Sequence, residues 1–242
     1  MADLVIIKVG ETFADTAEQF GDFDDWVLAG LEESTLPIRV VELLKGETLP
    51  ESSLCAGIVV TGSHAMVTEA LPWSTKLEKW LVSAVSDDIP VLGICYGHQV
   101  LANALGGTVD YHPKGPEIGC FEVCLRQAAA SDPLFSRLPV RFKAHLTHHQ
   151  SVMELPKGAV TLANSHHEAY QAYRVGNHVW GVQFHPEYSK AVMAAYLDKQ
   201  RHVLEVNGQD YAELEAHIQD TDIAKQILPL FADYVAGHVE LR

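Results

Sequence analysis

Ile89-Pro90-Val91-Leu92-Gly93-Ile94-Cys95-Tyr96-Gly97-His98-Gln99-Val100-Leu101-Ala102-Asn103-Ala104-Leu105-Gly106-Gly107 reads as a short buried strand, one sharp turn carrying a cysteine, and a helix closed by glycines. Gly93 and Gly97 stand two residues either side of Cys95. This is the G-x-nucleophile-x-G spacing of a nucleophile elbow, where side chains beside the turn must be absent for the backbone to fold tightly. A thiol at that point sits over the first turn of a helix, whose unpaired N–H groups favour the thiolate. A free cysteine also packs well as a small apolar residue. The paired glycines, the apolar run before them and the helix after them favour a reactive cysteine instead.

The chain has 242 residues, 48% of them hydrophobic, with mean hydropathy +0.03, which suits a globular α/β core. Its 17 basic against 32 acidic residues give a net charge of −15, which argues against nucleic acid or an anionic membrane as partner. Met1 to Gly10 lacks the long apolar run of a signal peptide, and no stretch reaches membrane-spanning length. Cys55, Cys95, Cys120 and Cys124 form no CxxC pair. Free thiols and a cytoplasmic setting are expected.

Outward from the elbow, apolar runs alternate with helical periods. Leu4 to Val9, Pro37 to Leu43, Cys55 to Thr61 and Pro90 to Ile94 read as strands. Ala14 to Glu33 and Trp73 to Ser86 read as helices, the first weakened at Gly21 and carrying Asp22, Asp24 and Asp25 on a water-facing side. The pattern predicts an α/β fold with a mostly parallel central sheet flanked by helices, and ligands at the strand C-terminal ends. Both Cys95 and the Gly62-Ser63 turn fall at such ends. After Gly107 shorter runs, among them Gly119 to Leu125, Arg141 to Leu146 and Val179 to Phe184, predict a smaller antiparallel or mixed strand region. From Lys190 the chain reads as helical, interrupted near Asn207-Gly208. One domain over 1–242 is expected, with a motif-bearing core over about 4–190 and a helical extension over about 190–242.

A cysteine nucleophile needs a base, and the base needs a group that orients it. Gly181-Val182-Gln183-Phe184-His185-Pro186-Glu187 supplies both: His185 ends an apolar strand, Pro186 turns the chain, and Glu187 is within reach of an imidazole nitrogen.

Taken together, Gly93-Ile94-Cys95-Tyr96-Gly97-His98-Gln99 and the His185-Pro186-Glu187 segment resemble the class I (triad) glutamine amidotransferases, nearest the glutaminase domain of GMP synthases, over roughly residues 4–190. The resemblance implies a flavodoxin-like fold, no cofactor, and Cys95, His185 and Glu187 as the catalytic residues. It implies an oxyanion held by the backbone N–H groups of Tyr96 and the Gly62-Ser63 turn, and a substrate contact at Gln99. Glu117-Ile118-Gly119 resembles a segment beside the pocket. Two departures stand out. The turn reads Gly62-Ser63-His64 where relatives carry Gly-Gly-Pro or Gly-Ser-Pro. The substrate loop, with His149 and Gln150, reads Thr147-His148-His149-Gln150-Ser151-Val152 without the aspartate of the relatives' pattern.

The implied reaction is hydrolysis of the glutamine side-chain amide through a γ-glutamyl thioester. Ammonia would serve a separate synthase partner, since no P-loop, Rossmann or ATP-grasp signature appears in the chain. Two alternatives remain: a γ-glutamyl peptidase using the same thioester, and a non-catalytic glutamine-binding regulatory module. His145, His148 and His149, or His166-His167-Glu168, lack the helical spacing of a zincin, so no catalytic metal is expected.

Overall fold

The computed structural model describes residues 2–241. Eleven strands are defined: β1 Asp3–Lys8, β2 Ile38–Glu42, β3 Cys55–Val60, β4 Val91–Ile94, β5 Thr108–Tyr111, β6 Glu117–Leu125, β7 Arg141–His148, β8 Gln150–Glu154, β9 Val160–Asn164, β10 Ala172–Val175 and β11 Val179–Val182. The helices are α1 Ala14–Phe20, α2 Phe23–Gly30, α3 Pro72–Ser86, α4 Tyr96–Ala104, α5 Lys190–Lys199, α6 Arg201–Val206, α7 Tyr211–Ala216, α8 Asp222–Lys225 and α9 Ile227–Leu241.

Nine strands form one sheet in the order β2-β1-β3-β4-β11-β10-β9-β6-β7, and β5 pairs with β8 in a small second sheet. From β2 to β11 every pairing is parallel, and from β11 to β7 every pairing is antiparallel. The antiparallel strands anticipated as a smaller region thus mostly extend the main sheet, and only β5 and β8 stand apart.

Strand alternation explains the two cores. Leu4 and Ile6 of β1 pack with Leu228, Phe231 and Val235 of α9, while Val5 and Ile7 pack with Leu77 and Leu81 of α3 and Val100 of α4. Helices on both faces leave the inner parallel strands β3, β4 and β11 fully buried, which is why β3 carries no polar side chain. A third cluster joins Phe23 and Trp26 of α2 to Tyr188, Met193, Tyr196 and Leu197 around α5.

The single helix expected over Ala14–Glu33 is broken at Gly21, whose φ of +81° ends α1. Asp22 then caps α2 in a reciprocal capping box with Asp25. Asp22 and Asp24 do not simply face water. Their carboxylates hold the Lys8 ammonium at 2.8 and 2.7 Å, because a lysine buried at the end of β1 needs compensating charge.

Candidate active site

Cys95 joins β4 to α4 with φ +50° and ψ −100°, a conformation that costs an L-residue about 1–3 kcal/mol. Both ends of the residue are fastened. Its N–H donates to the Val182 carbonyl at 2.9 Å, and its carbonyl accepts from the Gln99 N–H at 3.1 Å. The flanking glycines are required by close backbone approach. A Cβ on Gly93 would lie 2.4 Å from the Gly97 carbonyl oxygen, and one on Gly97 would lie 2.4 Å from that of Val60. Tyr96 and Gly97 open the first turn of α4, where the leading N–H groups have no preceding helical carbonyl to bind and an anion is favoured.

β4 and β11 are neighbours in parallel register, Ile94 opposite Val182, so the residues just beyond them emerge together. His185 is fixed there by its N–H, which donates to the His145 carbonyl at 2.9 Å. Its Nδ1 lies 2.7 Å from Glu187 Oε1, with both side chains buried, and its ring stacks on Tyr188 at 4.0 Å. The Cys95 side chain interacts with the His185 imidazole, and its Sγ also lies 3.8 Å from the Thr147 carbonyl. Burial disfavours the imidazolium, but the charges of Glu187 and Cys95 more than offset it and raise the His185 pKa to about 10. Gly62 lies directly against this ring: a Cβ there would be 3.2 Å from His185 Cε1.

These residues open on a cavity of about 240 Å³. Cys95, His185, Ser63, Tyr96, Gln99, His149 and Gln150 all line it, whereas Gly62 and Glu187 stand behind the lining. Gln99 Nε2 donates to the Gln150 carbonyl at 2.6 Å and to Gln183 Oε1 at 2.9 Å, so a substrate contact from Gln99 falls to its oxygen. The Gln150 side chain is engaged by Thr68, donating to its hydroxyl at 2.6 Å. His149 Nε2 pairs with Gln200 Oε1 at 3.4 Å.

Three features of the site escaped the sequence reading. Glu117 and His148 form a second buried acid–imidazole pair at 3.0 Å, built across the β6–β7 register, in which they lie opposite each other. Burial opposes both charges, yet each partner outweighs it, lowering the Glu117 pKa and raising that of His148. Gln200, directly after α5, reaches the cavity and donates to Thr147 Oγ1 at 2.6 Å. Finally, His64 bonds the Tyr196 hydroxyl at 3.0 Å and packs on Phe13 and Phe23, giving the cavity an aromatic wall. The departure from glycine-serine-proline at His64 was a signal for that wall; the other two features had none beyond the Glu117-Ile118-Gly119 segment.

His145 bonds the Gln219 carbonyl at 2.9 Å, and His167 bonds that of Gly115 at 3.1 Å. All four cysteines are free thiols.

Against known proteins, residues 19–203 match the family model described as Glutamine amidotransferase class-I. The chain is 35% identical over 158 residues to a GMP synthase [glutamine-hydrolyzing] of Aeropyrum pernix, covering 65% of this chain and 28% of that protein. It is 32% identical over 145 residues to Gamma-glutamyl peptidase 5 of Arabidopsis thaliana, covering 56% of this chain and 57% of the relative. The matches thus span well under two thirds of either relative. A solved glutamine amidotransferase of Thermotoga maritima shares the fold with a TM-score of 0.74 at 20% identity, covering 97% of this chain and 99% of that one. A glutamine amido transferase of Methylobacillus flagellatus superposes with a TM-score of 0.70 at 24% identity, covering 98% and 93%. Among the described residues no helix is long and apolar enough to cross a membrane.

Proposed function

Since the chain belongs to the class I glutamine amidotransferase family, we propose that it cleaves a γ-glutamyl C–N bond through a thioester on Cys95, with glutamine as donor and water as acceptor. The observation that carries this reading is a strained cysteine at a helix N-terminus beside an imidazole whose far nitrogen is held 2.7 Å from a buried carboxylate.

In the proposed cycle Cys95 Sγ attacks the side-chain carbonyl carbon of glutamine, and its proton resides on His185. The carbonyl π pair moves to oxygen, facing the N–H groups of Tyr96 and the Gly62-Ser63 turn. When the carbonyl re-forms, the C–N bond breaks and the nitrogen takes the His185 proton, leaving as ammonia. Water then gives a proton to His185 and attacks the thioester. The C–S bond breaks, glutamate departs and the thiol is restored. Glu187 holds the imidazole orientation throughout.

A separate synthase chain would receive the ammonia, a role suggested by the name of the Aeropyrum relative. A γ-glutamyl peptidase is the second reading. It shares every step up to the leaving group, and the aromatic wall of Phe13, His64 and Tyr196 would suit an apolar leaving amine. Intact-mass spectrometry after incubation with glutamine and with γ-glutamyl peptides distinguishes the two by which donor acylates Cys95. Equal ammonia or amine release by wild type and Cys95→Ala would refute an enzyme and leave the glutamine-binding regulatory module.

A further inference from the structure

The strands that carry the nucleophile and base have opposite ends, and there the fold gathers another set of chemically capable side chains. Asp88 lies in the turn between α3 and β4, and His178 immediately precedes β11. Val91 pairs with Val179, so the two residues lie beside each other at the start of neighbouring parallel strands. His238 comes from α9, one turn beyond Tyr234. One potential ligand atom from each of Asp88, His178 and His238 lies within 4.8 Å of the other two.

We propose that Asp88, His178 and His238 form a binding site for a divalent transition-metal ion of borderline softness, Zn²⁺ being the representative. Two imidazoles and one carboxylate are donors that suit such an ion and leave a position for water. Zinc bonds of about 2.0–2.1 Å place tetrahedral ligand atoms about 3.3 Å apart. His178 Nε2 and Asp88 Oδ1 already stand 3.4 Å apart. The other ring nitrogen of His178 is bonded to the Tyr234 hydroxyl, so Nε2 is the atom that faces Asp88 and the ring is fixed in the way outer partners orient metal-binding histidines.

His238 supplies the independent observation. Its Nε2 is shielded from solvent and has no hydrogen-bond partner among the described residues, although its ring lies only 4.5 Å from that of His178. A buried imidazole nitrogen without a partner is costly, and an ion between the two rings would satisfy it. The site would clip α9 to the turns that start β4 and β11, with the length of the strands, about 13 Å, between it and Cys95. Its role is therefore structural, and it stands independently of the proposed chemistry.

The test uses the full chain in a Cys95→Ala background, so that the active-site thiol cannot hold the metal. Zn²⁺ is titrated in competition with a chromogenic chelator, and melting temperature is followed with and without the ion. One zinc per chain and a rise in melting temperature are expected. Asp88→Asn should weaken binding at least tenfold, His238→Gln should abolish it, and Tyr234→Phe should weaken it about tenfold. Asp88 is 69% exposed at the side chain and has φ +58°, which asparagine tolerates, so Asp88→Asn decides the matter even if His238→Gln fails to fold. Absence of zinc uptake, or uptake unchanged by Asp88→Asn, overturns the site.

Discussion

The parallel and antiparallel halves of the sheet contribute to the cavity in different ways. The parallel half delivers Cys95 and His185 from the ends of two adjacent strands, each within a short contiguous motif. The antiparallel half delivers Glu117 and His148, which become neighbours only when β6 and β7 pair. In the proposed chemistry one half therefore places the reacting atoms by local turn geometry, and the other places supporting atoms by strand register. Mutations in the two halves should consequently fail differently: the first mainly in kcat, the second in stability and substrate affinity together.

The largest expected effect is at the proposed nucleophile. Cys95→Ala should reduce turnover of the responsive γ-glutamyl donor by about 10⁶-fold, with no acyl-enzyme in the mass spectrum and an unchanged circular dichroism spectrum. Retention of more than a hundredth of wild-type activity would mean that the acyl group is carried elsewhere.

Glu187→Gln comes next, with a loss of about 10⁴-fold in kcat from a misoriented imidazole. It also has a pH signature. His185 in the folded chain has its pKa raised to about 10, above the value near 6.5 of an unfolded histidine. The folded state therefore binds the extra proton between those values. The stability this contributes is fully present below about pH 6.5 and is lost as pH rises through about 10. Thermal melts of wild type across that window should show the decline, and Glu187→Gln should flatten it.

The same division explains what the sequence revealed. The elbow was legible because Gly93 and Gly97 are demanded by contacts within a few residues or with the adjoining strand, and the composition records that demand directly. His185-Pro186-Glu187 was legible for the same local reason. Glu117–His148 was not, because 31 residues separate the partners and neither flanking sequence encodes the pairing register. Lys8 with Asp22 and Asp24 was hidden similarly: the three acidic residues looked like a solvated helix face until the end of β1 was placed beneath two of them. The antiparallel strands were each visible as short runs, but their continuity with the parallel sheet depends on β10 pairing with β11 across a hairpin.

Glu117→Gln tests the register-built half. Removing one member of a buried charged pair costs about 3–5 kcal/mol because the remaining group loses its compensation. Ser165 and Gln171 also donate to Glu117, at 3.1 and 2.9 Å, so the amide would disturb more than one bond. His148 Nδ1 bonds the Gln150 carbonyl, which also accepts from Gln99. The disturbance should thus reach the cavity through Gln99, raising KM while His185 and Cys95 keep their positions. Urea denaturation and steady-state kinetics on the same preparation check both parts. A fall in kcat alone, with stability unchanged, would place Glu117 in the chemistry and dissolve the contrast between the halves.

The smallest effect should come from Gln200, which belongs to neither half. It joins the end of α5 to β7 through Thr147 Oγ1 and to the β7–β8 turn through His149, so its amide bridges the helical extension and the sheet at the cavity edge. Gln200→Ala deletes two part-buried neutral hydrogen bonds, each worth about 1 kcal/mol or less. The backbone of Thr147 is retained by its strand, so the carbonyl that accepts from the Cys95 thiol should stay in place. What should change is the freedom of the cavity edge, seen as faster amide hydrogen exchange in α6 and a few-fold rise in KM at constant kcat. If exchange is unchanged while kcat falls, the extension acts on Cys95 through Thr147, and the substrate-facing role of this bridge is wrong. A bond that positions a lining residue should alter binding before it alters the reacting atoms, and Gln200 is where that distinction can be measured with least disturbance to the core.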